Sequence, residues 1–506
     1  MFPNCGRVGF LRWPCAAVLI PVGLYLCMCL VFPLASAIQF GADEHYELNK
    51  AFHVSLGHTL YGDVWNDQPP FHTGVVALAF WFFGVKVLVA RVVAVLYSCL
   101  LLGCLFEVVR IRSGYLAAGV AVGLMMVAPG FAWLSVSVML EPPMLATGML
   151  SVLLLMCASD NLVAGGKPAL GMRFLLASGV VMGLALQTKL TSVIFLPAIL
   201  LEILLRGLQD LGQGRVVWGA AAGRLGELGK RLGVWSGGLL FGVAAVWCFF
   251  SEETLGHLFI SHFSEGTRHE FNAQAPWQDG GMRYEVELLL AGVVAVLTLM
   301  MLKRAGLRFP LVLLVTVGAV HLMNRPFWPY YGIHFWLPIC WLIGLATAAL
   351  WEKGVGLVND RDWSVFPVLG FTGLWALLCA LALSGVPDRF GQVGRQLALV
   401  RKIESDVGLR QLVTLRSGAN WMFTDRPIES FHARIPQAPE LAVLPLKRYA
   451  SGQIDEETVL AWVETYRPEV IFIDPSNFSA EWQNYLGAHY RVHFQEGSRT
   501  LFTLTP

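Results

Sequence analysis

Charge is what this chain has little of. Only 14% of its 506 residues are Asp, Glu, Lys or Arg, and 36 basic side chains nearly cancel 35 acidic ones, leaving a net charge of +1. A soluble protein of this length needs far more polar surface. A nucleic-acid partner needs a basic patch that so balanced a composition does not supply. No cysteine follows Cys379, so the polar C-terminal stretch holds no disulfide framework. The cysteines that are present lie in or beside apolar segments and read as small core hydrophobes. Internal repeats and low-complexity segments are also missing. What the chain does have is apolar length, with 56% hydrophobic residues and a mean hydropathy of +0.60. These residues recur in runs of about 20, long enough to cross a ~30 Å hydrocarbon core. Backbone groups in lipid must bond internally, so the runs predict helices and an all-α polytopic membrane protein.

Eleven spans are predicted, near 12–37, 86–110, 115–134, 141–158, 172–187, 189–206, 234–251, 284–302, 309–322, 332–351 and 363–385. The first ends in LASA, which resembles a signal-peptide cleavage site. It is long for such a segment and carries Pro14, Pro21 and Pro33, so an uncleaved helix is expected. One set of connecting loops holds sixteen Lys or Arg; the other holds Lys50, Lys189, Arg268, Arg283 and Arg325. The positive-inside rule then puts the N-terminus in the cytoplasm, and Asp43, the 252–283 loop and the tail outside. The Gly-rich, basic stretch 207–233 fits a cytoplasmic linker on the membrane surface.

The division expected is a membrane domain over 1–385 and a small extracytoplasmic α/β domain over 386–506. In the tail, EVIFIDP reads as a buried strand and IDEETVLAWVETY as an amphipathic helix capped by Asp455. HYRVHFQEGSRTLFTL reads as a hairpin.

Between the first two spans lies GADEHYELNKAF, Gly41 to Phe52. Leu48, Phe52, Leu56 and Leu60 make one apolar stripe of a helix starting at Glu44, with Glu44, Glu47 and Lys50 off it. Such a helix lies in the membrane interface, apolar face down. Asp43 then stands where an N-cap belongs; a catalytic base is the competing reading. Pro69-Pro70 ends this loop, and the apolar 71–84 is too short to cross, so it re-enters or runs shallow.

Taken in order, these landmarks resemble the polyprenyl-phosphate-sugar-dependent membrane glycosyltransferases of the GT-C superfamily. That group includes the protein O-mannosyltransferases and the aminoarabinose transferase of lipid A. The resemblance rests on Asp43-Glu44, Pro69-Pro70, Phe83-Gly84 and Ala90-Arg91. Weaker matches are Glu141-Pro-Pro, Gln187-Thr-Lys-Leu, SHFSEGTRHEFNAQAPW from Ser261 and RPFWPYYGIHFWLP from Arg325. It covers roughly 38–351, and extends loosely to the tail because several members carry an outside α/β domain.

The resemblance implies a sugar moved from a polyprenyl phosphate to an acceptor hydroxyl, the acceptor being a glycolipid, a polysaccharide or a protein. It carries the catalytic base to Asp43, with Glu44 beside it orienting the acceptor or favouring the helix start. The departing phosphate needs cations or hydrogen-bond donors. Arg268, with its bidentate fork, is the first candidate; Arg325, Tyr330, Tyr331 and Lys189 are the others. Each has a plainer role open to it: loop cation, interfacial aromatic or snorkelling lysine. Some relatives have Lys directly before the Pro-Pro pair, where this chain has Gln68, so a cation is lost there. Asp67 and Glu141 are candidates for the acceptor side or its loop. No cofactor is certain; a divalent metal is open, with Asp67, His262, Glu265 and His269 as weak candidates. A bacterial inner membrane is the expected location. The competing classes are a transporter, which predicts repeats and broken helices, and a scaffold acting through its tail.

Overall fold

The computed structural model describes residues 16–162, 167–212, 218–247, 285–323, 327–359 and 365–505. Arg268, Arg325, His262, Glu265, His269 and all of the 252–283 loop lie outside the described residues. The described residues up to 399 are mainly helical: α1 (Leu19–Cys29), α2 (Glu44–Ser55), α3 (Phe71–Phe83), α4 (Val87–Met126), α5 (Phe131–Leu134), α6 (Glu141–Leu162), α7 (Pro168–Leu186), α8 (Leu196–Gly212) and α9 (Trp218–Trp247). It continues with α10 (Val286–Met301), α11 (Arg308–Met323), α12 (Gly332–Asn359), α13 (Val365–Ser384) and α14 (Val386–Leu399). Among the described residues, six helices are long and apolar enough to cross a membrane, and four shorter apolar helices accompany them. The shorter ones are α1, joined to the short turn before it, α3, α10 and α11, so the described residues do not show eleven membrane-length helices.

Local chemistry explains the breaks and the packing. α4 is two helices joined at Gly114, whose φ of 82° and ψ of −179° suit a residue without a β-carbon. The spans expected at 86–110 and 115–134 meet at this point. α7 and α9 approach until their backbones touch: a β-carbon at Gly183 would lie 2.5 Å from the Leu239 carbonyl oxygen. Gly179 and Gly183 on one helix, and Gly238 and Gly242 on the other, form the small-xxx-small pattern that allows close helix contact in lipid. α12 runs through the centre, with Leu337, Cys340, Leu342 and Ala346 sealed from solvent.

The first span ends earlier than expected, at Cys29 rather than 37. Residues 34–38 instead wrap the guanidinium of Arg91, whose Nη1 donates to the carbonyls of Leu34 and Ala37 at 2.8 Å each. A fully buried cation needs these acceptors, and they hold the backbone out of a helix. The interfacial position expected for α2 is also corrected. Leu48 and Phe52 are buried, but so are Glu44, Glu47 and Lys50, expected on a wet face. The reason is that distant polar groups meet this face, Arg91 at Glu44, Thr73 at Glu47 and Asp67 at Lys50, while the tail packs on the apolar side.

α14 packs Val393 and Leu397 against the core of the helical body. A four-stranded sheet follows in the order β1-β2-β4-β3, with β1 Met422–Thr424, β2 Val470–Ile473, β3 Tyr490–Glu496 and β4 Arg499–Leu504. β1 and β2 are parallel; the other pairs are antiparallel. Its helices are α15 (Val407–Leu415), α16 (Pro427–Ala433), α17 (Leu446–Ala450), α18 (Glu456–Tyr466) and α19 (Ala480–His489). Asp455 caps α18 by accepting from the Thr458 N–H at 2.8 Å. β3 and β4 turn at Gly497, whose φ is 61°. Ile428 and Phe431 of α16 pack on Phe52 and Phe80, which buries α2 between the tail and the helical body.

Candidate functional site

Asp43 stands at the cap position of α2, but its carboxylate accepts no bond from that helix. The first turn is satisfied by the Asp43 carbonyl, which accepts from the N–H groups of Tyr46 and Glu47. The side chain turns the other way and accepts a hydrogen bond from the Tyr330 hydroxyl at 2.8 Å. Asp43 is half-buried. A carboxylate at a helix start that is not spent on the cap is available for other chemistry.

Its neighbour behaves differently. Glu44 is fully buried and bidentate with Arg91, at 2.9 Å from Nε and 3.0 Å from Nη2. It also accepts from the backbone N–H of Phe40 at 2.5 Å and of Val138 at 3.2 Å. All its acceptor capacity is used inside the protein, so its geometry is that of a brace for the loop bearing Asp43. This also accounts for the Ala90-Arg91 dipeptide, which the sequence presents without a role.

A second group of candidates converges on Asp43 from distant parts of the chain. Lys189, in the turn before α8, pairs with Glu141 at the head of α6. Its ammonium lies 5.4 Å from the Tyr330 ring centre and 4.7 Å from that of Tyr331. These distances suit cation–π attraction in a desolvated site. Tyr331 in turn stacks on two buried histidines that sequence reasoning missed, His321 and His334, whose ring nitrogens are 2.9 Å apart. His334 lies within RPFWPYYGIHFWLP but was given no role there, and the two meet only because α11 and α12 pack together.

Asp67 and Gln68 lie in a polar cluster beside this one. Gln68 Nε2 donates to Asp67 at 3.2 Å, and Lys447 from the tail reaches Asp67 at 3.3 Å. Lys50 is 2.9 Å from Glu47, which also accepts from the Thr73 hydroxyl at 2.9 Å. Burial alone would lower the Lys50 pKa, but Glu47 and Asp67 outweigh it and keep the ammonium charged. The Phe71 N–H donates to the Gln187 carbonyl at 2.9 Å, tying the Pro-Pro loop to the Lys189 turn. Among the described residues no three His, Cys, Asp or Glu side chains converge as a metal would require. Asp67 has Lys50, Lys447 and Gln68 as partners there.

An apolar cavity of about 490 Å³ opens beside Asp43. Gly41 and Ala42 line it, as do Phe32, Trp133, Tyr330 and Trp336. Arg389 also borders it, but is paired with Glu285 at 2.7 Å.

Residues 67–223 match the family model described as dolichyl-phosphate-mannose-protein mannosyltransferase. No curated protein matches the chain. The structure is similar to ArnT from Cupriavidus metallidurans bound to undecaprenyl phosphate. The TM-score is 0.61 at 14% identity, over 96% of this chain and 97% of that one. It is also similar to the archaeal oligosaccharyltransferase AglB from Archaeoglobus fulgidus, in complex with an inhibitory peptide and a dolichol-phosphate. There the TM-score is 0.56 at 12% identity, over 98% of this chain and 74% of that one. With these likenesses added to the helical body and its family match, the chain is one with the fold of the GT-C superfamily of membrane glycosyltransferases.

Proposed function

We propose that this protein is an integral membrane glycosyltransferase that moves a sugar from a polyprenyl-phosphate donor to an acceptor hydroxyl on the extracytoplasmic face. The observation that carries the reading is the Asp43 carboxylate: unspent on its helix, held by Tyr330 at 2.8 Å, and next to an apolar cavity. In the reaction, the acceptor oxygen bonds to the anomeric carbon while the bond from that carbon to the phosphate oxygen breaks. The electron pair leaves with the lipid phosphate, and the acceptor proton passes to Asp43. The apolar cavity suits the first isoprene units of the donor. Undecaprenyl phosphate in ArnT and dolichol-phosphate in AglB support a lipid phosphate of this kind. Lys189, held beneath Tyr330 and Tyr331, supplies positive potential next to the leaving phosphate. Arg268 and Arg325 are its further proposed partners. Glu44 acts through Arg91 to hold the Asp43 loop, and Glu141 acts through Lys189.

The test is donor turnover. Purified protein is incubated with a panel of polyprenyl-phosphate sugars and an envelope extract, and free polyprenyl phosphate is followed for wild type and Asp43→Asn. Release by wild type that is lost in the variant is expected. Wild-type rates in Asp43→Asn would return Asp43 to a structural role.

A further inference from the structure

A second cavity, of about 620 Å³, lies between the Asp43 loop and the tail. Three of its lining residues, Ile38, Gln39 and His45, belong to the segment that carries Asp43. The opposite wall is Arg401 with Asp425 to Ile428. The walls are fastened together: the Ile38 N–H donates to the Arg401 carbonyl at 2.9 Å, and the Ile403 N–H to that of Ser36 at 2.8 Å. Trp133 and Gln396 line this cavity and the apolar one alike, so the two adjoin on either side of these residues. The volume falls within the range of about 300–1,000 Å³ usual for small-ligand sites.

The linings differ in chemistry. Gln39 Nε2 is engaged by the Gly41 and Ala42 carbonyls and by His45 Nδ1, so Gln39 Oε1, His45 Nε2 and the Gln396 amide are what the lining offers to hydroxyls, with the Trp133 indole beside them. Charge is unbalanced. Asp425 is engaged by Arg499 at 2.7 Å. Arg401 pairs with Asp406 yet keeps a side chain 58% exposed. Arg426 is exposed and has no ion pair among the described residues; its backbone is bonded, the N–H to the Thr424 hydroxyl and the carbonyl to the Glu429 N–H. A guanidinium fork left over in a polar cavity is suited to a bidentate anion such as phosphate or carboxylate.

We infer that this cavity is the acceptor subsite, and that it takes a saccharide carrying an anionic group, held by Arg426. The inference rests on the transferase reading and adds to it the chemical class of the acceptor. The hydroxyl to be glycosylated would enter from the His45 side, two residues from Asp43. The apolar cavity on the far side of Trp133 is left to the donor lipid.

The experiment uses the full chain in detergent micelles, with glucose 6-phosphate and glucose as probes and binding read by saturation-transfer NMR. Excess undecaprenyl phosphate is included to occupy the donor side. Wild type should bind glucose 6-phosphate at least about 10-fold more tightly than glucose, the size of one charge-assisted contact. Arg426→Ala should bring the two probes near parity, Arg426→Lys should keep part of the preference, and Asp43→Asn should keep all of it. Arg426 is exposed, so its variants should fold, and unchanged thermal unfolding checks that. Arg401→Ala is the second variant, expected to weaken the phosphate probe less. Equal binding of both probes by wild type, or an unchanged preference in Arg426→Ala, overturns the assignment. If Asp43-dependent donor turnover persists without the preference, the acceptor subsite alone fails. If the preference holds and no donor turns over, the transferase reading fails instead.

Discussion

Asp43 and Glu44 are adjacent acids with opposite predicted fates on neutralisation. Asp43→Asn keeps an oxygen that can accept from Tyr330 and leaves the backbone bonds to Tyr46 and Glu47 untouched. It exchanges one charge-assisted hydrogen bond for a neutral one, a stability loss of about 1 kcal/mol. The base is lost, however, and a general base contributes roughly 10²–10⁴-fold, about 3–5 kcal/mol of barrier. Glu44→Gln should show the reverse pattern. Its carboxylate meets two guanidinium nitrogens and two backbone N–H groups with no exposure. Neutralising it leaves Arg91 buried without a counter-charge, at a cost of about 3–5 kcal/mol. The assay pairs thermal unfolding in detergent with single-turnover release of polyprenyl phosphate. Asp43→Asn should unfold close to wild type and transfer at least 100-fold more slowly. Glu44→Gln should unfold much earlier, with whatever remains folded still active. Equal destabilisation by both variants, or near-wild-type transfer by Asp43→Asn, would refute this division of roles.

Tyr330→Phe should lower kcat about 10-fold, the worth of one positioning hydrogen bond, with donor KM little changed; a change confined to KM would point to phosphate binding. Lys189→Met strands the buried Glu141 and should cost about 3–5 kcal/mol, most of it recovered in the Lys189→Met, Glu141→Gln double variant. A double variant no more stable than the single one would contradict a direct pair. Burial pushes the His53 imidazole down to about 3 and that of His432 down to about 4. The unfolded chain takes up these protons first, near pH 6.5. Stability is therefore full above that pH and falls as pH drops from 6.5 towards the folded values. Melting curves of wild type and His53→Phe should diverge less as pH rises through this window; parallel curves would reject the contribution of His53.

The apolar runs determined by themselves that this is a helical membrane chain, because unpaired backbone in lipid leaves no other structure. Short patterns likewise determined the Asp455 cap, the VIFI strand and the final hairpin, whose stabilising contacts lie within a few residues. GVVMG in α7 and GLLFG in α9 were not singled out in the sequence, because only tertiary structure shows that these glycines face each other. The acid at position 43 was visible as an N-cap, and the sequence could not choose between capping and catalysis. That choice depends on competition between a backbone N–H three residues away and a tyrosine hydroxyl 287 residues away. The same holds for Arg91, whose burial bends residues 34–38 out of the first helix, and for the His321–His334 pair. It holds for α2 as well, whose charged face looked wet until Arg91, Thr73 and Asp67 were seen to meet it. Periodicity reports which face of an element is apolar. Which surface covers that face, and which buried charge finds which partner, is set by contacts distant along the chain, and only the folded molecule decides them.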